Sequence, residues 1–192
     1  GKAVLTGITR YTDEKISPDK TWNPNQDAEI LLKSLYSGVE SRLMSDVPVG
    51  VVLSGGLDSS LIAALSKQVS DSKGAQSPDV WTVAGDENNP DMKAAIQVAE
   101  HYGLNHHKKI IDPEKFWRTL PNFIWSGEDL DVSVLFWQPL FEEMSQQVKV
   151  GICGQGADEL HAGYSRYKEL KKHSKLIDER LNDFGKISIE KE

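Results

Sequence analysis

Apolar and polar residues follow two different patterns along this chain of 192 residues. In several segments apolar side chains recur every three or four residues, the spacing that places them on one face of a helix. Other segments are short apolar or β-branched runs bounded by turn residues, which is typical of strands inside a sheet. The predicted helices cover 25–44 (capped by Asn25 or Asp27), 58–69, 90–102 (capped by Asn89 and ended by Gly103), a segment from Pro113, a segment from near Pro139 to about Gln147, and 164–184. The predicted strands cover 49–53, 80–84, 107–111 and 148–153.

Strands that alternate with helices favour an α/β fold. We therefore predict an open, mostly parallel sheet with helices on both faces. Residues 1–26 are polar and include Pro18 and Pro24, so they are predicted to form a linker or arm, followed by one domain over 27–192. In a parallel sheet of this kind, ligands bind at the carboxyl ends of the strands.

The most informative stretch is Gly50–Ser60, where the first predicted strand turns into a helix. Ser54, Gly55 and Gly56 offer backbone N–H groups with no bulky side chain in front of them. Because the positive end of a helix dipole follows, this turn predicts an anion site. It lacks the Gly-Lys-Ser/Thr of a P-loop, the G-x-G-x-x-G of a dinucleotide fold and the G-x-S-x-G of a hydrolase elbow.

A second loop, Cys153–Leu160, follows the last predicted strand and brings two carboxylates to the start of a helix. Asp158 fits two interpretations, an N-cap or an oxygen ligand for Mg²⁺ that is shared with Asp58. Two acidic loops at strand ends that could face each other favour the metal. Cys153 is interpreted as a small apolar filler at the end of a buried strand rather than as a nucleophile.

Composition excludes several classes of function. The formal net charge is −7, and neither a basic stripe nor a basic helix is present, which argues against nucleic-acid binding and a membrane-surface role. No apolar run approaches the roughly 18 residues of a membrane span, and the amino terminus lacks the profile of a signal peptide. A single cysteine allows no internal disulfide and fits a reducing cytoplasm, so we expect a cytoplasmic protein.

The stretch Ser54–Ser60 resembles the pyrophosphate-binding loop of the N-type ATP pyrophosphatases, S-G-G-x-D-S. Together with Gly154–Tyr164, it resembles the synthetase domain of class B, glutamine-dependent asparagine synthetases. The resemblance covers about 27–167. It extends to Val83, Pro90–Ala95, the pair His106 and His107, and Asp131–Ser133. It implies a Rossmann-like fold of the adenine nucleotide alpha-hydrolase type.

The resemblance also implies an activity. Such an enzyme binds ATP and Mg²⁺, adenylates the side-chain carboxylate of aspartate, releases pyrophosphate and lets ammonia displace AMP. By the same resemblance, the phosphates are held by Ser54, Gly55, Gly56, Ser59 and Ser60, and the adenosine by Leu53, Val83, Cys153 and Gly154. Asp58 and Asp158 are the implied magnesium ligands, and the implied catalytic residues are Asp58, Gln155 and Asp158.

Three departures from the family pattern keep alternatives open. Gly1 stands where the family's glutaminase half begins with a catalytic cysteine, so we expect free ammonia or a glutaminase domain or subunit in trans. Gln155 stands where members carry a glutamate thought to handle protons, and an amide cannot take up a proton. The family also continues beyond residue 192, so the chain is interpreted as a fragment. The alternatives are a non-catalytic nucleotide-binding paralogue and an amide-forming cyclase of the β-lactam synthetase or lasso-peptide type.

The histidine pair is a weaker candidate. His106 and His107 have no companion metal ligands at a suitable spacing in the sequence. Because successive side chains on a strand point to opposite faces, we expect one ring to face the core and the other the site.

Overall fold

The computed structural model describes residues 21, 23–128, 131, 135–161, 163–165, 172, 175 and 179. Its helices are α1 (Pro24–Leu43), α2 (Leu57–Ser72), α3 (Pro90–Tyr102), α4 (Pro113–Gly127), α5 (Gln138–Met144) and α6 (Ala157–His161). Its strands are β1 (Val49–Val52), β2 (Asp79–Ala84), β3 (His106–Ile110) and β4 (Val150–Ile152). The helix predicted over 164–184 lies outside the described residues, apart from isolated positions.

Local capping fixes where the helices begin and end. The Asn23 side chain caps α1 by accepting from the Asn25 N–H at 3.1 Å, and Asp27 accepts from the Asn23 N–H at 2.7 Å. The cap predicted at Asn25 or Asp27 is therefore wrong by at least two residues, and the helix begins inside the predicted arm. Asn89 caps α3 as predicted, and Gly103 ends it in the left-handed conformation with φ 62°.

The strands form one parallel sheet in the order β3-β2-β1-β4 across the described residues. β1 pairs with β2 on one side and with β4 on the other, and β2 pairs with β3. The predicted α/β fold with a parallel sheet is confirmed. Because the chain runs outward from β1 to β3 and then returns to β4, the order of strands reverses between β1 and β4.

Helices cover both faces of the sheet, as predicted. On one face Trp81 and Val83 pack with Phe116 of α4 and Leu140 of α5. On the other face Val51 and Leu53 pack with side chains of α2 and α3. This alternation follows from the period of two along each strand. None of the helices in the described ranges is long and apolar enough to span a bilayer.

The first helix, α1, lies outside the layers formed by the sheet and its covering helices, and it packs on α2. Val39 of α1 is buried with Leu65 and Val69 of α2. The amino-terminal half of α1 contributes little to this contact, since Ile30 is 62% exposed and Leu32 is 47% exposed. The predicted apolar face of α1 is therefore buried only toward its carboxyl end.

Candidate functional site

The two candidate loops leave neighbouring strands at the same edge of the sheet. Register pairs Val49 with Val150 and Val51 with Ile152, so β1 and β4 end side by side. A reversal of strand order at this point opens a crevice at the carboxyl ends, which is the usual ligand site of an open parallel sheet. The expectation that the loops face each other is met by this topology.

The backbones of the two loops are in direct contact. A Cβ atom added to Gly154 would lie 2.9 Å from the carbonyl carbon of Asp58 and 2.9 Å from the Ser59 nitrogen. Only a residue without a side chain therefore fits between the second loop and the first turn of α2. This close approach brings the start of the second loop against the residue pair that opens α2.

The first loop is held in shape by its own serines. The Ser54 N–H donates to Ser59 Oγ at 3.1 Å, and Ser59 Oγ donates to the Gly56 carbonyl at 3.2 Å. Because Ser59 gives its proton to that carbonyl, the 2.9 Å contact between the two hydroxyls is a bond from Ser54 to Ser59. The Gly56 N–H donates to Ser54 Oγ at 3.3 Å. These two hydroxyls, expected on the phosphates, are engaged within the loop.

Gly55 packs the loop against α3. Its φ is 78°, and an added Cβ would lie 2.5 Å from the Ala95 nitrogen and 2.6 Å from the Ala94 Cβ. Both the conformation and the space therefore require glycine. Ser60, the last residue implied by the resemblance, has a buried hydroxyl without a hydrogen-bond partner among the described residues. Its N–H bonds to the Gly56 carbonyl at 3.0 Å, inside the helix.

The start of α2 supplies the electrostatics of an anion site. The helix has 16 residues and begins at Leu57, directly after the loop, with Asp58 in its first turn. Its first N–H groups have no acceptor within the helix, so its positive end faces the crevice. A phosphate is the class of ligand that such an end favours.

The second loop places Asp158 in the first turn of α6, half-buried. The Gly163 N–H donates to the Asp158 carbonyl at 3.0 Å, and the Gly163 Cα lies against the Asp158 carboxylate with no room for a Cβ. Gly163 therefore limits where that carboxylate can point. No group of three His, Cys, Asp or Glu side chains that could hold a metal is found in the part of the chain that the structure describes. Two carboxylates are nonetheless the usual protein share of a magnesium site that is completed by phosphate oxygens and water.

The side chains that the resemblance implies for adenosine binding do not all lie on the same face of the sheet. Leu53 is fully buried on the α2 and α3 face, and Val83 packs on the α4 and α5 face. Their side chains therefore point away from each other, and a common ligand would reach only their backbones. Gln155 is exposed beside Gly154, at the mouth of the crevice.

Cys153 is exposed, so its interpretation as a buried filler is wrong. The reason lies in the topology, since β4 is at one end of the strand order and lacks a second neighbour in the described sheet. An end strand is solvent-accessible on the side where a central strand would be covered.

Neither histidine faces the crevice directly. His107 lies at the amino end of the sheet, where its Nε2 is 2.7 Å from Asp79 Oδ2 and its ring stacks on Trp81 with centroids 4.5 Å apart. His106 Nε2 lies 2.8 Å from the hydroxyl of Thr82, a buried residue that also bonds to the Leu53 carbonyl. The sequence analysis missed Thr82, although a hydroxyl inside an otherwise apolar strand was a visible signal.

Burial lowers the pKa of His106 to about 4, and coulombic interactions with Lys108 and His107 lower it further. The ring is therefore neutral at pH 7.

The fold and the crevice define a class of protein: an α/β domain with a glycine- and serine-rich loop, a helix amino terminus and two acidic turns at one edge of a parallel sheet. The sequence comparisons identify the family within that class. The asparagine synthase family model matches residues 31–185, and the chain belongs to that family.

Individual relatives agree with this assignment. The chain is 34% identical to asparagine synthetase B [glutamine-hydrolyzing] of Escherichia coli K12 over 168 residues, which are 81% of this chain and 30% of that protein. It is 37% identical to asparagine synthetase [glutamine-hydrolyzing] of Asparagus officinalis over 150 residues, which are 72% of this chain and 25% of that protein. The chain thus spans between a quarter and a third of the length of these curated relatives.

Among solved structures, the chain is similar to an NH3-dependent NAD synthetase from Campylobacter jejuni, with a TM-score of 0.49 and 19% sequence identity. That similarity covers 71% of this chain and 60% of the other.

Proposed function

We propose that this chain is the ATP-using part of an amide-forming ligase, which activates the side-chain carboxylate of aspartate as an adenylate. Membership of the asparagine synthase family supports the class of reaction. The observation that supports the proposal is the contact of Gly154 with the Asp58–Ser59 turn, because it brings the two candidate loops together, where one ligand could contact both.

The triphosphate would lie in the crevice between the loops. The first N–H groups of α2 and the loop amides would donate to the β and γ phosphates, while Ser54 and Ser59 hold the loop in shape. Preformed donors of this kind need no reorganisation when charge develops on the leaving pyrophosphate. Ser60 contributes its backbone position, since its hydroxyl is buried.

Asp58 and Asp158 would hold Mg²⁺. Both are half-buried acids in the first turns of helices that open at the crevice, and carboxylate oxygens suit this cation. Bound there, the ion would supply charge neutralisation at the phosphates. Gly163 would keep the Asp158 carboxylate in place.

The proposed reaction has two steps. A carboxylate oxygen of aspartate attacks the α-phosphorus of ATP, and the bond to the bridging oxygen breaks to release pyrophosphate. The nitrogen of ammonia then attacks the acyl carbon, the bond to AMP breaks, and the nitrogen loses a proton as the amide forms. Gln155 can hold a substrate by hydrogen bonds but cannot accept that proton, so water or another base must take it.

The relatives are named as glutamine-hydrolyzing enzymes, and we propose that a glutaminase domain or subunit supplies ammonia to this chain. The expected compartment is the cytoplasm, because the lone cysteine needs no oxidising environment.

Gln155 favours a second candidate, a nucleotide-binding domain that does not complete the reaction. In that case the loops still bind ATP, but no amide forms. A cyclase that uses an internal amine in place of ammonia is the third alternative, and it shares the first step.

Pyrophosphate release from ATP separates these candidates. The assay contains Mg²⁺ and aspartate, with and without ammonia, and compares the wild type with Asp58→Asn and Asp71→Asn. Asp71 is the control because it is an exposed acid near the other end of the same helix, about 20 Å from Asp58 along α2. We expect release by the wild type and Asp71→Asn, and a loss of at least about 100-fold in Asp58→Asn. ATP binding without pyrophosphate under any acceptor would leave only the binding domain.

A further inference from the structure

A chain of hydrogen bonds joins β3 to the first candidate loop. The Thr82 hydroxyl lies 2.6 Å from the Leu53 carbonyl oxygen and 2.8 Å from His106 Nε2. Thr82 is 1% exposed, so water does not compete for these bonds. The paired register of β1 with β2 ends at Val52, and the Leu53 N–H still donates to the Trp81 carbonyl at 2.8 Å. The Thr82 side chain adds a second bond to Leu53, at its carbonyl oxygen.

The protons in this chain can be assigned from the chemistry of the groups. A carbonyl oxygen only accepts, so the Thr82 hydroxyl must donate to Leu53. In its other hydrogen bond, the Thr82 oxygen therefore accepts from His106 Nε2–H. Because burial keeps this ring neutral at pH 7, its single proton lies on Nε2 and Nδ1 is bare.

The peptide plane carries this constraint into the loop. The Leu53 carbonyl and the Ser54 N–H belong to one planar unit, so fixing the direction of one fixes the other. The Ser54 N–H in turn donates to Ser59, which donates to the Gly56 carbonyl. Every donor in the series points the same way, from β3 to the first turn of α2, which is the arrangement in which successive bonds strengthen one another.

We propose that His106 is a positioning residue for the phosphate loop. Acting through the Thr82 hydroxyl, it fixes the peptide plane at Leu53 and so aims the loop amides at their ligand. The assignment of phosphate as that ligand rests on the proposed function, whereas the link between β3 and the loop does not. His106 is separated from β1 by the whole of β2 and acts without touching the nucleotide.

Paired substitutions test this role by ATP binding, measured by calorimetry with Mg²⁺. His106→Leu removes one bond of the series and Thr82→Val removes two, and each variant is expected to weaken ATP binding about five- to tenfold. His106→Gln keeps a donor in the Nε2 position and Thr82→Ser keeps the hydroxyl, so both are expected to stay within about twofold of the wild type. His107→Gln is the control, since it changes the next residue of β3, whose side chain lies on the opposite face of the sheet, where it bonds to Asp79 and stacks on Trp81.

The two residues act in series, so their effects are not expected to add. The double variant His106→Leu/Thr82→Val should bind ATP as weakly as Thr82→Val alone. Equal ATP affinity in His106→Leu and His107→Gln, with similar losses of thermal stability, would reduce His106 to a structural residue. Should His106→Leu fail to fold, the comparison of Thr82→Val with Thr82→Ser carries the same test.

Nuclear magnetic resonance of the ligand-free protein separates a failure of this inference from a failure of the proposed function. His106→Leu should shift the amide signals of Ser54 and Gly55, whereas His107→Gln should leave them in place. The imidazole nitrogen signals of His106 should show the Nε2–H form in the wild type. If the wild type does not bind ATP but these signals behave as expected, the proposed function is wrong and the link stands. Unmoved loop signals in His106→Leu would overturn the link.

Discussion

Replacement of Gly154 by alanine is expected to push the two loops apart. The added methyl group would lie 2.9 Å from two backbone atoms of the Asp58–Ser59 turn and 3.0 Å from the Asp58 Cβ. Ordinary contacts of a carbon atom are about 3.5–4.0 Å, so the loops must separate by about 0.5–1 Å. Overpacking of this kind costs about 1–3 kcal/mol of folding stability. A displacement of about 1 Å at reacting groups costs up to about 100-fold in rate.

The assay for Gly154→Ala combines thermal unfolding with ATP binding and pyrophosphate release. For a domain of this size each kcal/mol lowers Tm by about 2–4 °C. Gly85→Ala is the matched control, because Gly85 is exposed at the same edge of the sheet and an added Cβ meets nothing within 4 Å. We expect Gly154→Ala to lose at least about tenfold in kcat/KM for ATP, and Gly85→Ala to stay near the wild type. If both variants bound and used ATP equally well, the loops would not share a ligand.

Three further predictions follow from single contacts. Asp158→Asn should raise the Mg²⁺ concentration needed for half-maximal pyrophosphate release by about tenfold or more, whereas Asp71→Asn should leave it unchanged. Gly163→Ala should re-aim the Asp158 carboxylate and give a smaller increase of the same kind, with Tm within a few degrees of the wild type. Between pH 6.5 and about 4, His106 is protonated in the unfolded chain but not in the folded chain, so the free energy of unfolding should fall as the pH falls. For a half-buried ring, the expected loss of stability is about 1 kcal/mol by pH 5. Urea unfolding at pH 7 and pH 5 checks this, and His106→Gln should lose that part of the pH dependence.

The fold was accessible from the sequence where local chemistry decides the outcome. The glycine after α3 and the asparagine before it marked both ends of that helix correctly. The apolar runs at 49–53 and 80–84 gave clear strand predictions, because those strands lie at the centre of the sheet and are buried on both faces. The start of α1 was misplaced because Asn23, Asn25 and Asp27 are all good caps, and only the three-dimensional contact of Asp27 with the Asn23 N–H distinguishes them.

The two loops, and the possibility that they face each other, could be predicted from the sequence, but the strand order that makes them neighbours could not. Nothing in the spacing of residues states that β1 and β4 are neighbours, and this adjacency is a property of the strand order. The exposure of Cys153 follows from the same order. The bond from Thr82 to Leu53 joins residues 29 positions apart, and no local pattern reports a contact of that range.

The most direct test of this account is an experimental structure with Mg²⁺ and an ATP analogue whose α–β bridge cannot be cleaved. We predict a magnesium ion about 2.1 Å from a carboxylate oxygen of both Asp58 and Asp158, with the β and γ phosphates against the amides of the first loop. A nucleotide bound away from this crevice, or an ion that contacts neither carboxylate, would contradict the account.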